Sequence, residues 1–188
     1  MFEAIVIGGS FAGLSAALQL ARARRQVLVL DTGLPRNRFS QHSHGFFAQD
    51  GVPPLELIAK GREKLLAYPN VCFVQGEATR VHGSSDAFTV ETASAESFRG
   101  KRLILAYGQI DQLPDLPGLA ERWGDSVHLC PYCHGYESHE QPLGVLWVSP
   151  MSAHQASLLP DWGPVTFFTQ GNEVEPEARA LLDRRGVA

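Results

Sequence analysis

Short apolar runs set off by glycines and by helix-length amphipathic stretches organise the first half of the chain. Glu3–Ile7 is a short, mainly apolar run ahead of Gly8-Gly9 and predicts a buried strand. Phe11–Arg25, rich in Ala and Leu, predicts a helix, and Gln26–Leu30 predicts a second apolar strand ending at Asp31. From Asp31 to Pro54 the pattern breaks into a long loop rich in Gly, Pro, Asn and His. Leu55–Tyr68 then reads as a helix and Val71–Gln75 as a strand. Between Ala78 and Gly108 short alternating segments predict a β-meander over Ala87–Thr92, Ser97–Gly100 and Arg102–Ala106, ending in a buried strand.

Gln109–Leu119, rich in Pro and Asp, is the expected domain boundary, dividing the chain into 1–113 and 114–188. A second strand, turn, helix and strand follow at Leu143–Val148, Ser152–Leu159 and Val165–Thr169. Glu173-Val-Glu-Pro176 opens a last helix with acids at its positive end, and Arg184-Arg185-Gly186 closes it. Val187-Ala188 has the character of the first step of another strand, so the second domain is expected to be incomplete. The fold class is therefore α/β, with a Rossmann-like nucleotide-binding domain and part of a second one.

Composition narrows the function classes. The 188 residues are 44% hydrophobic and 19% charged, with net charge -4 and no basic stripe for nucleic acid or a membrane surface. No apolar run reaches the roughly 18 residues that a membrane span needs. The apolar N-terminus carries Glu3 and is broken by Gly8-Gly9, which argues against a signal peptide. Three cysteines in that context point to a reducing cytoplasm.

Two motifs carry chemistry. Gly8-Gly9-Ser10-Phe11-Ala12-Gly13 falls on the turn between the first strand and helix, where glycines allow a tight turn, close approach to pyrophosphate and helix–strand packing. Gly8 and Gly13 fill the first and third roles, and Ser10 replaces the middle glycine with a small side chain. The helix N-terminus can hold a pyrophosphate. Asp31, eighteen residues after Gly13, can accept hydrogen bonds from ribose hydroxyls.

The second motif is Cys130-Pro131-Tyr132-Cys133 followed by His134. A C-x-x-C pair opens and closes a disulfide as a two-electron switch. The same residues also fit c-type haem attachment, or zinc with His128, His134 and His139. Haem requires an exported, largely helical protein with a second axial ligand, and zinc here lacks a second C-x-x-C. Glutaredoxin carries this motif just after its first strand, whereas a nucleotide-binding pattern follows it here. A redox dithiol working with a flavin fits both motifs together, with His134 taking or returning the thiol proton. Cys72, inside Val71–Gln75, reads as a buried core thiol.

These residues, in this order, resemble the low-molecular-weight thioredoxin reductase family over essentially the whole chain. More narrowly, they are similar to its relatives that oxidise small-molecule dithiols, such as the gliotoxin and holomycin oxidases. Ile7–Gly13 matches the FAD pyrophosphate loop; Asp31 and Pro35-Arg36-Asn37-Arg38 match the stretch around the adenosine and phosphates. His44-Gly45 with Asp50-Gly51 is similar to the loop beneath the flavin. Gly76-Glu77-Ala78 is similar to the strand end on the adenine, and Ala106-Tyr107-Gly108 to the Ala-Thr-Gly motif beside the cofactor. Cys130–Glu137 matches the redox centre, with His134 where thioredoxin reductases usually have Asp.

The resemblance implies FAD as cofactor, a homodimer, and either a small-molecule dithiol or a thioredoxin-like protein as partner. It implies Cys133 as the flavin's partner and Cys130 as the substrate's. It also implies that the rest of the nicotinamide domain and a returning FAD segment are missing from this chain. The turn Ser149-Pro150-Met151-Ser152-Ala153 has no glycine, and Gln170-Gly171-Asn172 offers no arginine for a 2′-phosphate, so NADPH binding is not expected. The expected function is FAD-dependent dithiol oxidation with oxygen as acceptor. The rivals are an NADPH-dependent thioredoxin reductase and a non-catalytic flavin- or partner-binding protein.

Overall fold

The computed structural model describes residues 1–188. The chain divides into two compact units, residues 1–42 with 52–112, and residues 43–51 with 113–188.

In the first unit, β1 (Ala4–Ile7), α1 (Phe11–Arg22) and β2 (Val27–Asp31) form a parallel crossover. Helix α2 (Pro54–Leu66) and β3 (Val71–Gln75) follow. Strand β3 adds to the outer edge of β2, and β7 (Leu103–Leu105) adds to β1, giving the order β3-β2-β1-β7 with parallel pairing. Strands β1 and β2 are apolar at consecutive positions because both faces of this sheet are covered. Val6, Val27 and Val29 pack with Leu14, Ala17, Ala21 and Leu65 on the helix side. Ile5, Ile7, Leu28 and Leu30 pack on the opposite side with Val90.

That opposite cover is an antiparallel sheet of β4 (Ala78–His82), β5 (Phe88–Thr92) and β6 (Ser97–Gly100). Two expectations are corrected here. The meander begins one strand earlier, at Ala78, and its expected last strand leaves it to join β1 in the parallel sheet. Cys72 is exposed rather than buried: β3 is an edge strand, and Cys72 pairs in register with the fully buried Leu28 at the sheet's margin. The expected long loop also contains a 3-10 turn, Arg36–Phe39.

In the second unit a short helix α3 (Pro131–His134) carries the C-x-x-C motif. Strands β8 (Leu143–Leu146) and β9 (Val165–Phe168) pair in parallel, with α4 (Met151–Leu158) crossing between them and α5 (Pro176–Arg184) following. Val145, Val165 and Phe167 from the strands pack with Ala153, Ala156, Leu159 and Leu182. Arg185 ties the end of α5 to the end of α4, donating to the Ser157 carbonyl at 3.0 Å and pairing with Asp161 at 2.6 Å. Ala188 extends this sheet: its N–H donates to Val165 O at 2.9 Å, and its own oxygen accepts from the Phe167 N–H at 2.7 Å.

The glycine positions in the β1–α1 turn are fixed by space. A Cβ on Gly13 would lie 1.8 Å from the Gly8 carbonyl oxygen. Gly8 has φ 106°, and a Cβ there would lie 2.2 Å from the Ala106 oxygen. Gly13→Ala is therefore expected to destabilise the first unit by about 1–3 kcal/mol through overpacking, seen as a lower urea midpoint.

Candidate functional site

Three parallel strands deliver their C-terminal ends to one place in the first unit. β1 ends at the glycine turn, β2 at Asp31 and β7 at Leu105, just before Ala106. The Gly8 N–H donates to Leu30 O at 2.8 Å and the Ala106 N–H to Ile7 O at 2.7 Å, so turn and strand ends are held together. This is the crevice where open α/β sheets bind nucleotides. Ser10 is extended and makes no side-chain cap on α1, and the first turn of α1 contains no acidic residue. The positive end of the helix is thus not neutralised from within.

Asp31 bridges the turn to the following loop. Its Oδ1 accepts from the Gly9 N–H at 2.8 Å and its Oδ2 from the Gly33 N–H at 3.1 Å. Each oxygen retains a second lone pair for a ribose hydroxyl. Asp31, Gly9, Ser10 and Pro35 line a cavity of about 410 Å³ together with Phe73 and one face of α2. That face is Leu55, Ile58, Ala59, Arg62, Glu63 and Leu66, and the Arg62 guanidinium lies 3.8 Å from the Phe73 ring centroid. These positions recur at helical spacing. The period of α2 could therefore have exposed them, but only once the side facing Asp31 was known.

The other expected cofactor residues divide. Tyr107 is exposed beside the turn, and Gly108 follows with φ 76°. Ala78 opens β4 and packs in the core between the two sheets of this unit, not in the cavity lining. Arg36 is held by a two-pronged pair with Asp111, and the Arg36 hydrogen bond keeps the Asp111 carboxyl below its usual range. Arg38 donates to Pro35 O at 2.9 Å and its guanidinium covers the Phe39 ring. Neither arginine lines the cavity. His44 and Asp50 belong to the second unit, where His44 lies 3.6 Å from Asp50 and 3.4 Å from Glu137. Asp50 also accepts from the Gly45 N–H at 2.7 Å, closing that loop on itself.

In the second unit Cys130 and Cys133 form a disulfide, with Cα atoms 5.3 Å apart across the first turn of α3. Pro131 at the first helical position suits that turn because its missing N–H has no intrahelical partner there. The flanks are anchored to the nucleotide-like crossover. The Gln155 amide donates to Leu129 O at 2.9 Å, and Tyr132 meets Trp162 edge-on at 5.5 Å.

The His134 ring stacks on His128, with centroids 4.0 Å apart. Burial holds its pKa below the usual histidine value; His128 and His44 act in the same direction, and Glu137 opposes them. A neutral imidazole beside a disulfide can accept a thiol proton. His139, the other zinc candidate, is engaged with the Tyr136 carbonyl at 2.6 Å. No three His, Cys, Asp or Glu side chains converge as a metal site.

The β8–α4 turn differs from the β1–α1 turn. Buried Ser152 accepts the N–H groups of Val148 at 3.0 Å and Ser149 at 3.2 Å on its own hydroxyl. Neither α1 nor α4 has a side-chain cap; what sets the second turn apart is that the Ser152 hydroxyl, from inside α4, engages the N–H groups of the turn that precedes the helix.

A glycine-turn α/β crossover and a C-x-x-C disulfide thus stand together in one chain. The profile of the pyridine nucleotide-disulphide oxidoreductases matches residues 2–154, and the chain belongs to that family, in its thioredoxin reductase-like form. An oxidoreductase from Agrobacterium tumefaciens is 51% identical with a TM-score of 0.94, covering 99% of this chain and 63% of its own. The crystal structure of HlmI is 42% identical with a TM-score of 0.93, over 99% of this chain and 60% of that one. Thioredoxin reductase aclD of Aspergillus oryzae is 33% identical across all of this chain, and tcpT of Claviceps purpurea 34% identical across 91% of it. The chain spans 65% and 56% of the lengths of these two curated relatives. No helix is long and apolar enough to cross a membrane.

The thiol inventory is directly checkable. Alkylation of the denatured, unreduced chain is expected at Cys72 alone, and at all three cysteines after reduction, by intact-mass measurement.

Proposed function

We propose that the protein is an FAD-dependent thiol–disulfide oxidoreductase that oxidises a dithiol through Cys130–Cys133. The observation that carries this reading is the disulfide of α3 with His134 beside it. The glycine cradle of β1–α1, whose space a Cβ would fill, and the cavity beside Asp31 fit a dinucleotide. Gly8–Gly13 and Asp31 would hold its pyrophosphate and ribose. The assignments of Arg36, Arg38, His44, Asp50, Ala78 and Ala106–Gly108 to the same cofactor rest on resemblance.

The exchange balances as follows. A substrate thiolate attacks the Cys130 sulfur, the Cys130–Cys133 bond breaks, and Cys133 leaves as a thiolate. The second substrate thiol then gives up its proton and attacks the substrate sulfur of the mixed disulfide. The substrate leaves as a disulfide, and the protein pair holds two electrons as thiols. His134 accepts the proton of the attacking thiol and returns it to a leaving thiolate. FAD, when bound, supplies the two-electron acceptor that returns the pair to the disulfide, with oxygen as the final oxidant.

The glycine-free Ser149–Ala153 turn, with the Val148 and Ser149 N–H groups engaged by Ser152, supports oxygen over a nicotinamide nucleotide. A cytoplasmic homodimer belongs to the same reading. The thioredoxin reductase names of the relatives support a second one, electron flow from NADPH towards a thioredoxin-like protein.

Oxygen uptake with a small dithiol and added FAD tests the proposal. Cys130→Ser and Cys133→Ser are expected to fall to the rate of free FAD, and His134→Gln to lose about 10²–10⁴-fold. NADPH is expected to leave the flavin absorbance of the anaerobic protein unchanged. Rapid bleaching by NADPH would favour the reductase, and undiminished turnover in the cysteine variants would sink both readings.

A further inference from the structure

His128 stands two residues before Cys130 and has no part in the exchange described above. Its ring nevertheless lies flat against that of His134, centroids 4.0 Å apart and planes 14° from parallel. The residues joining them contain the entire C-x-x-C, so the stack closes the redox loop at both ends. A positive charge on the His128 ring would repel one on His134 at this separation.

We propose that His128 is a positioning residue of the redox centre, one whose ring holds the His134 ring in place by stacking against it. This rests on the assignment of His134 as the acid/base of the exchange. A His134 ring so held and free of its proton is ready to take one from an attacking thiol.

The charged surroundings fit this division. Besides His128, the groups acting on His134 are Glu137, just past α3, and His44 from the 43–51 segment. Glu137 is engaged with His44 at 3.4 Å, and His44 also faces Asp50 at 3.6 Å. After burial, His128 is the largest influence holding His134 below its usual value. The sign follows: a histidine accepts a proton only above its pKa, so a lowered value extends basic action to lower pH. Removing the charge of residue 128 raises the His134 pKa and moves the acid limb of exchange to higher pH.

His128→Phe keeps a ring in the stack and removes its charge, and His128→Gln is a second variant should the first fold poorly. Two readouts on the full chain decide the matter. One is the NMR titration of the His134 ring, assigned by its loss in His134→Gln. The other is the pH profile of Cys130–Cys133 reduction by dithiothreitol. Both midpoints are expected to move upward together in the His128 variants. Midpoints that stay in place, even with a slower rate, would overturn the proposal and leave His128 a packing residue. A wild-type disulfide that dithiothreitol does not reduce would instead defeat the exchange reading, while the NMR titration would still decide whether residue 128 acts on the His134 ring.

Discussion

Gly13 meets the carbonyl of Gly8 at a distance that admits no side chain, and the first unit is built outward from that approach. It seats the first turn of α1 directly on the end of β1, so the helix runs back along the sheet and β2 enters beside β1. The N-terminus of α1 then lies at the strand ends where Asp31 and Ala106 arrive. Placing a Cβ at either glycine would open the turn and disperse these groups together. Fold and candidate nucleotide site share one steric constraint.

The second unit repeats the strand–helix–strand plan with the opposite outcome at its turn. Ser152 satisfies the N–H groups of Val148 and Ser149, so this turn is closed on itself by a side chain. What this unit presents is the disulfide on α3, fixed from behind by Gln155 and Trp162. Four titratable side chains, His44, His128, His134 and Glu137, are gathered there from three stretches of chain. A dithiol centre needs such a cluster because each exchange moves protons as well as electrons.

Much of this was legible in the sequence where local patterns are strong. The buried strands β1 and β2, the glycine turn, Asp31 and the C-x-x-C all follow from apolar runs, glycines and spacing. Strand β4 was not, because Ala78–His82 is mostly exposed and polar, and pairing with β5 decides its conformation. Leu103–Leu105 looks like one more meander strand until the sheet order places it beside β1. Cys72 looks buried by neighbourhood, yet an edge strand leaves its outer positions open. The α2 face has a helical period but no local sign of which side meets Asp31, and the His128–His134 stack depends on tertiary placement alone.

The proposed function requires that the Cys130–Cys133 pair pass its two electrons to FAD bound by the chain. The visible spectrum of the chain reconstituted with FAD, recorded anaerobically before and after a small dithiol, tests it most directly. Bound flavin whose absorbance bleaches in the wild-type chain and persists in Cys133→Ser is the predicted result. A chain that binds no FAD, or bleaching that is the same in both proteins, would contradict it.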